Sequence, residues 1–137
     1  MENEFDEELK RILERKYKEM LAELNKPKNA YGKPVYLDST NFYRYISEAK
    51  LALVDFYADW CMPCRAMAPI IEELARQYPN ILFGKLNVDM NPDLAMKFEV
   101  SSIPTLIIFK DGKFQDRIIG FIPKPALEKV LKSFLGI

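Results

Sequence analysis

Histidine is missing from this 137-residue chain, and cysteine occurs only twice. The first absence removes Ser-His and Cys-His nucleophilic catalysis, imidazole acid-base steps and every histidine-containing zinc site. The second removes a four-thiolate metal site within one chain. Charge of one sign is also lacking: lysine plus arginine and aspartate plus glutamate both total 20, so the net charge is zero. With no run of like charge, neither nucleic acid nor an anionic membrane surface is expected as a partner. No apolar stretch reaches membrane-spanning length, and the opening Met1-Glu-Asn-Glu-Phe-Asp-Glu-Glu8 is acidic where a secretory leader is basic. A cytoplasmic protein is the expectation. In such a reducing compartment a lone Cys-x-x-Cys pair points to catalysis or metal binding rather than to a structural staple.

What the chain does contain is enough apolar residue, 49%, for one domain with one core. Phe5, Leu9, Ile12, Leu13, Tyr17, Met20, Leu21 and Leu24 recur at three- and four-residue intervals, which predicts an amphipathic helix over residues 4–24. Asn3 is its candidate N-cap, the acidic first turn suits the positive end of the dipole, and Asn25 with Pro27 ends it. Turn formers from Asn25 to Pro34 read as a connector. We therefore divide the chain into an extension, residues 1–33, and a compact domain, residues 34–137.

Strands and helices alternate in that domain. Strands are expected at 35–37, 51–57, 81–88, 105–110 and 114–119. Helices are expected at 40–49, 62–77 with a proline kink at Pro69, 92–98 and 125–135. Asp111-Gly112 between the last two strands is a hairpin signal. The order implies an α/β fold, a mixed sheet with helices on both faces.

The two cysteines, Cys61 and Cys64, lie two residues apart at the start of the 62–77 helix. One helical turn separates their Cα atoms by roughly 5 Å, within the range a disulfide needs. A helix N-terminus favours a thiolate, so Cys61, ahead of the helix, is the better nucleophile. Cys64, inside the first turn, should be the more buried. Pro63 suits that register because its missing N–H costs nothing in a first turn. The alternatives are two core thiols, or half of a metal site shared between chains. Asp55, within the apolar run Leu51–Tyr57, would be desolvated and raised in pKa, which suits proton transfer with Cys64. It could equally lie at an exposed strand end or be neutralised by Lys85. Ile103-Pro104 reads as trans on sequence alone, since cis makes up only about 5–6% of X-Pro bonds. Trp60 and Met62 are either core filling or an apolar docking rim.

Taken together, the block Asp55-Phe-Tyr-Ala-Asp-Trp-Cys-Met-Pro-Cys64 resembles the thioredoxin family. So do Ala68-Pro69, Lys85-Leu-Asn-Val-Asp89, Asn91-Pro92, Ile103-Pro-Thr-Leu106, Phe109-Lys-Asp-Gly112 and Gly120, in the family's order across about residues 34 to 137. The resemblance implies a thioredoxin fold and a protein-disulfide reductase needing no metal or organic cofactor. It implies Cys61 as attacking thiol, Cys64 as resolving thiol and Asp55 as proton carrier with Lys85 nearby. It also implies a cis Ile103-Pro104 bond facing the dithiol. Trp60, Met62, Pro63, Ile103, Pro104 and Gly120 would border a groove for an extended substrate segment. Disulfide-containing proteins would be the substrates and a thioredoxin-reductase-type protein the electron donor.

Two features depart from the family pattern. Met62 stands where glycine is usual, which predicts altered partner choice more than lost activity. The extension carries an apolar stripe that needs a cover: its own domain first, a second copy of the chain in a homodimer next, another protein last. The rival functions are a disulfide oxidase or isomerase of the same fold, and a partner-binding module using the groove and the N-terminal helix.

Overall fold

A computed structural model of the chain describes residues 4–25 and 30–137. Its elements in order are α1 (Glu4–Asn25), β1 (Val35–Leu37), α2 (Phe42–Glu48), β2 (Leu51–Tyr57), α3 (Met62–Gln77), β3 (Leu82–Asn87), α4 (Pro92–Lys97), β4 (Thr105–Lys110), β5 (Lys113–Ile119) and α5 (Lys124–Leu135). The five strands form one sheet in the order β1-β3-β2-β4-β5. β1, β3 and β2 run parallel, β4 is antiparallel to β2, and β5 is antiparallel to β4. Both of β2's neighbours cover its edges, which is why its apolar run is continuous and not alternating.

Side-chain alternation along β2 divides the interior in two. Ala52, Val54 and Phe56 face a cluster with Phe42 and Ile46 of α2 and Leu94 of α4. Leu51 and Leu53 face the opposite cluster, with Met67, Ile71 and Leu74 of α3 and Leu127 and Leu131 of α5. Helices thus cover both faces. The β4–β5 turn places Asp111 at φ 53° and Gly112 at φ 78°, the two left-handed residues that a tight hairpin requires.

One helix departs from expectation. α2 begins at Phe42, not Thr40, because the Asp38 carboxylate accepts from the Thr40 and Asn41 backbone N–H groups at 2.8 and 3.0 Å and holds them in a turn. α3 has the expected bounds, with Pro69 inside it at an exposed position. The ends proposed for α1 at Asn3 and Pro27 fall outside the described residues.

The cover first expected for α1 is also corrected. Every residue from 4 to 21 is exposed except the half-buried Ile12, so the stripe is not packed on its own domain. The connector does reach the domain at Tyr31, whose N–H donates to the Pro79 carbonyl at 2.7 Å.

Candidate active site

β2 ends at Tyr57, and four residues later the chain enters α3 with Cys61 at the N-cap in an extended conformation, φ −88° and ψ 113°. The Cys61 Sγ accepts a hydrogen bond from the Cys64 backbone N–H at 3.3 Å. Sulfur therefore occupies the place where a capping oxygen would sit, at the positive end of a 16-residue helix. Pro63 lies within the first turn, where no N–H is needed. The Cα atoms of Cys61 and Cys64 are 5.2 Å apart and the two residues are joined as a disulfide. Their burial differs less than expected: Cys61 is 4% exposed and Cys64 3%. Tyr57, Val88 and Ile103, packed around the pair, cover the first sulfur almost as well as the second.

Beside this sulfur the Ile103-Pro104 peptide is cis, against the reading from X-Pro preference and in line with the resemblance. The Ile103 carbonyl oxygen lies 3.8 Å from Cys61 Sγ. Thr105 fixes the turn by donating its hydroxyl to the Ser102 carbonyl at 2.6 Å, and the Gly120 N–H donates to the Pro104 carbonyl at 2.8 Å. Gly120 has φ 91°, a conformation that a side chain there would strain. Trp60 and Met62 are 66% and 69% exposed, so neither fills the core.

Both exposed side chains are held in place by charged residues that look, in sequence, like ordinary solvated positions. Trp60 Nε1 donates to Asp89 Oδ2 at 2.9 Å. Arg65 donates through Nε to the Asp59 carbonyl at 3.0 Å, and its Nη1 lies 3.7 Å from Met62 Sδ. Only the spatial approach of β3's end to the α3 start brings Asp89 to Trp60, and no local pattern announces that.

Asp55 lies on the α3 side of the sheet, sharing the parity of Leu51 and Leu53. It is 0% exposed and, among the described residues, neither carboxylate oxygen has a hydrogen-bond partner. An exposed strand end is thereby ruled out. Lys85 is its register partner on β3, but the Lys85 ammonium sits 4.6 Å from the Tyr57 ring centroid and makes no direct bond to the carboxylate. Burial pushes the Asp55 pKa up to about 6, and the Lys85 charge opposes the shift without cancelling it. A cavity of about 220 Å³ opens next to this region, with Cys64, Tyr57, Ala68 and Lys85 in its wall.

A redox-active Cys-x-x-Cys disulfide at a helix N-cap, on a five-stranded mixed sheet with helices on both sides, defines a thiol-disulfide oxidoreductase. The comparisons with known proteins then fix the family. The family model described as Thioredoxin matches residues 33–133, and the chain belongs to that family. A thioredoxin of Staphylococcus saprophyticus is 56% identical over 86 residues, covering 61% of this chain and 81% of the relative. A thioredoxin of Staphylococcus haemolyticus is 50% identical over 104 residues, covering 74% and 97%. Among solved structures, a mutant thioredoxin from Halobacterium salinarum superposes with a TM-score of 0.74 at 34% identity, covering 77% of this chain and 93% of that one.

Proposed function

We propose that the chain reduces protein disulfides through a Cys61-attacking, Cys64-resolving cycle, with Asp55 carrying the proton. The single observation that carries this reading is the Cys61 sulfur capping α3, held by the Cys64 N–H. In the reduced protein the same N–H and helix dipole stabilise the Cys61 thiolate. That thiolate attacks one sulfur of a substrate disulfide, and the other substrate sulfur leaves as a thiolate and takes a proton. The Asp55 carboxylate accepts the Cys64 proton, and the Cys64 thiolate attacks Cys61 Sγ. The second substrate sulfur leaves, and the Cys61–Cys64 disulfide closes.

Trp60, Met62, Pro63, Ile103, Pro104 and Gly120 form the docking border for an extended substrate segment. Lys85 supports Asp55 by limiting the rise in its pKa. A reductase of the thioredoxin-reductase type returns the pair to the dithiol, in the cytoplasm. Residues 34–137 are the catalytic unit, a boundary one residue from the start of the family match, and residues 1–33 are an appended extension.

Reduction of an insulin-type disulfide tests the cycle. Cys61→Ser abolishes turnover, whereas Cys64→Ser accumulates a mixed disulfide on Cys61 that a strong thiol reductant releases. Turnover surviving in Cys61→Ser defeats the assignment. Net oxidation or isomerisation is distinguished by a measured reduction potential well above the range of reducing family members.

A further inference from the structure

Met62, the residue that follows Cys61, carries an unbranched thioether side chain that turns about several bonds, and at 69% exposure packing does not confine it. A substrate segment docking on such a side chain has to freeze it, and that cost is absent when the side chain is already held.

Arg65 supplies the hold. It stands three residues on in the first turns of α3, at a spacing that brings side chains together on one side of a helix. Its Nε donates to the Asp59 carbonyl at 3.0 Å, and its Nη1 lies 3.7 Å from Met62 Sδ, a soft and weak acceptor. A guanidinium is planar, so tying Nε to the backbone also fixes where Nη1 points. The carbonyl that Nε rests on belongs to the turn between β2 and α3, which is closed by the Cys61 N–H donating to the Ala58 carbonyl at 3.2 Å. Turn, guanidinium and thioether therefore form one continuous support. Exposure alone does not bring such a support. Met90 and Met96 are 78% and 82% exposed, and among the described residues neither sulfur has a donor beside it.

Resting on the reading of Met62 as part of the docking border, we infer that Arg65 is a positioning residue. It holds the Met62 side chain in one place, so that the border favours protein disulfides whose segment lays an apolar side chain on that preformed surface. A different role, attraction of acidic substrates by the Arg65 charge, would need only the charge and not the fork.

Steady-state reduction of an insulin-type disulfide, beside that of the small bis(2-hydroxyethyl) disulfide, tests this on the full chain. Arg65→Gln raises KM for the protein substrate about threefold and leaves kcat unchanged. The small disulfide has no side chain to lay on the border, and its rate stays at the wild-type value. Arg65→Lys behaves like Arg65→Gln, because one ammonium on a flexible stem keeps the charge but cannot hold the Asp59 carbonyl and Met62 Sδ together. In a Met62→Gly background, Arg65→Gln has no further effect on KM. An unchanged KM in Arg65→Gln overturns the proposal. So does a KM that Arg65→Lys restores, which assigns charge attraction, or an equal rise in the Met62→Gly background, which assigns support of the turn alone. Failure of the cycle itself looks different: turnover surviving in Cys61→Ser defeats it whatever Arg65 does, while each outcome above is read with Cys61 essential.

Discussion

The two faces of the central sheet are built from the same strands yet carry opposite chemistry. On the α2/α4 face, Phe42, Phe98 and Phe109 pack with ring centroids 5.3 to 5.9 Å apart, and the buried side chains of that cluster are all apolar. On the α3/α5 face, two residues beyond Leu53 on β2, a buried carboxylate with no hydrogen-bond partner among the described residues lies on the side that α3 covers. One face holds the fold together and the other gives up some of that stability to keep a buried titratable group on the side of the sheet that α3 covers. Single substitutions should therefore separate stability from turnover.

The largest expected effect breaks the apolar face. Phe42 is 1% exposed and its ring touches those of Phe98 and Phe109. Phe42→Ala removes that packing and lowers stability by about 3–5 kcal/mol in denaturant unfolding. Disulfide reduction per folded molecule stays at the wild-type value, because neither Phe42 nor the Phe98 and Phe109 rings it touches pack against the sulfurs. A large loss of turnover in the folded fraction would erase the contrast.

Asp55→Asn acts in the opposite sense. The folded-state pKa of about 6 lies above the ordinary carboxylate value of 3.8. A group raised in this way stabilises the fold relatively below the unfolded pKa, and that contribution is lost as pH rises through the folded one. The wild type therefore loses stability between about pH 4 and 6, and a neutral isostere escapes the loss. The variant should be more stable by about 3 kcal/mol at pH 8, with the gain shrinking below pH 6 and gone near pH 3. Turnover should fall by about tenfold to a hundredfold, with the mixed disulfide living longer. Equal stability at both ends of the range would mean that Asp55 is not the buried charge described here.

How far these contrasts are legible in sequence depends on their range. β2 runs over Leu51–Tyr57 and α3 over Met62–Gln77, the bounds expected from periodicity and the proline at the helix start. The oddity of Asp55 within an apolar run was visible too, and only the choice among its environments was not. That choice turns on where the Lys85 ammonium goes, and the Tyr57 ring that holds it is set by the β2–β3 register. The near-equal burial of Cys61 and Cys64 was missed because helical position places a sulfur relative to its own helix. Val88 and Ile103 arrive from distant segments. The Trp60–Asp89 bond spans 29 residues and escaped for the same reason. Exposure of the α1 stripe was hidden for another reason, since a 3.6-residue pattern shows that a face is apolar but not what lies against it.

The smallest effect sharpens the comparison most, because it changes charge without touching the carboxylate. Lys85 is the cation that holds the Asp55 pKa down against desolvation, and it does so from above the Tyr57 ring rather than through a bond. Lys85→Met keeps a half-buried stem of similar length and removes only the charge. The Asp55 pKa then moves above about 6, and the pH at which the resolving step loses its base moves up with it. Stability at pH 8 falls by about 1 kcal/mol or less, since a partly screened charge at this distance is worth little more. The check is the pH dependence of single-turnover release from the mixed disulfide, measured for wild type, Lys85→Met and the double variant with Asp55→Asn. An upward-shifted midpoint in Lys85→Met that disappears in the double variant means Lys85 acts through Asp55. A midpoint that Lys85→Met leaves in place would return Lys85 to a packing role and leave desolvation alone in control of this face.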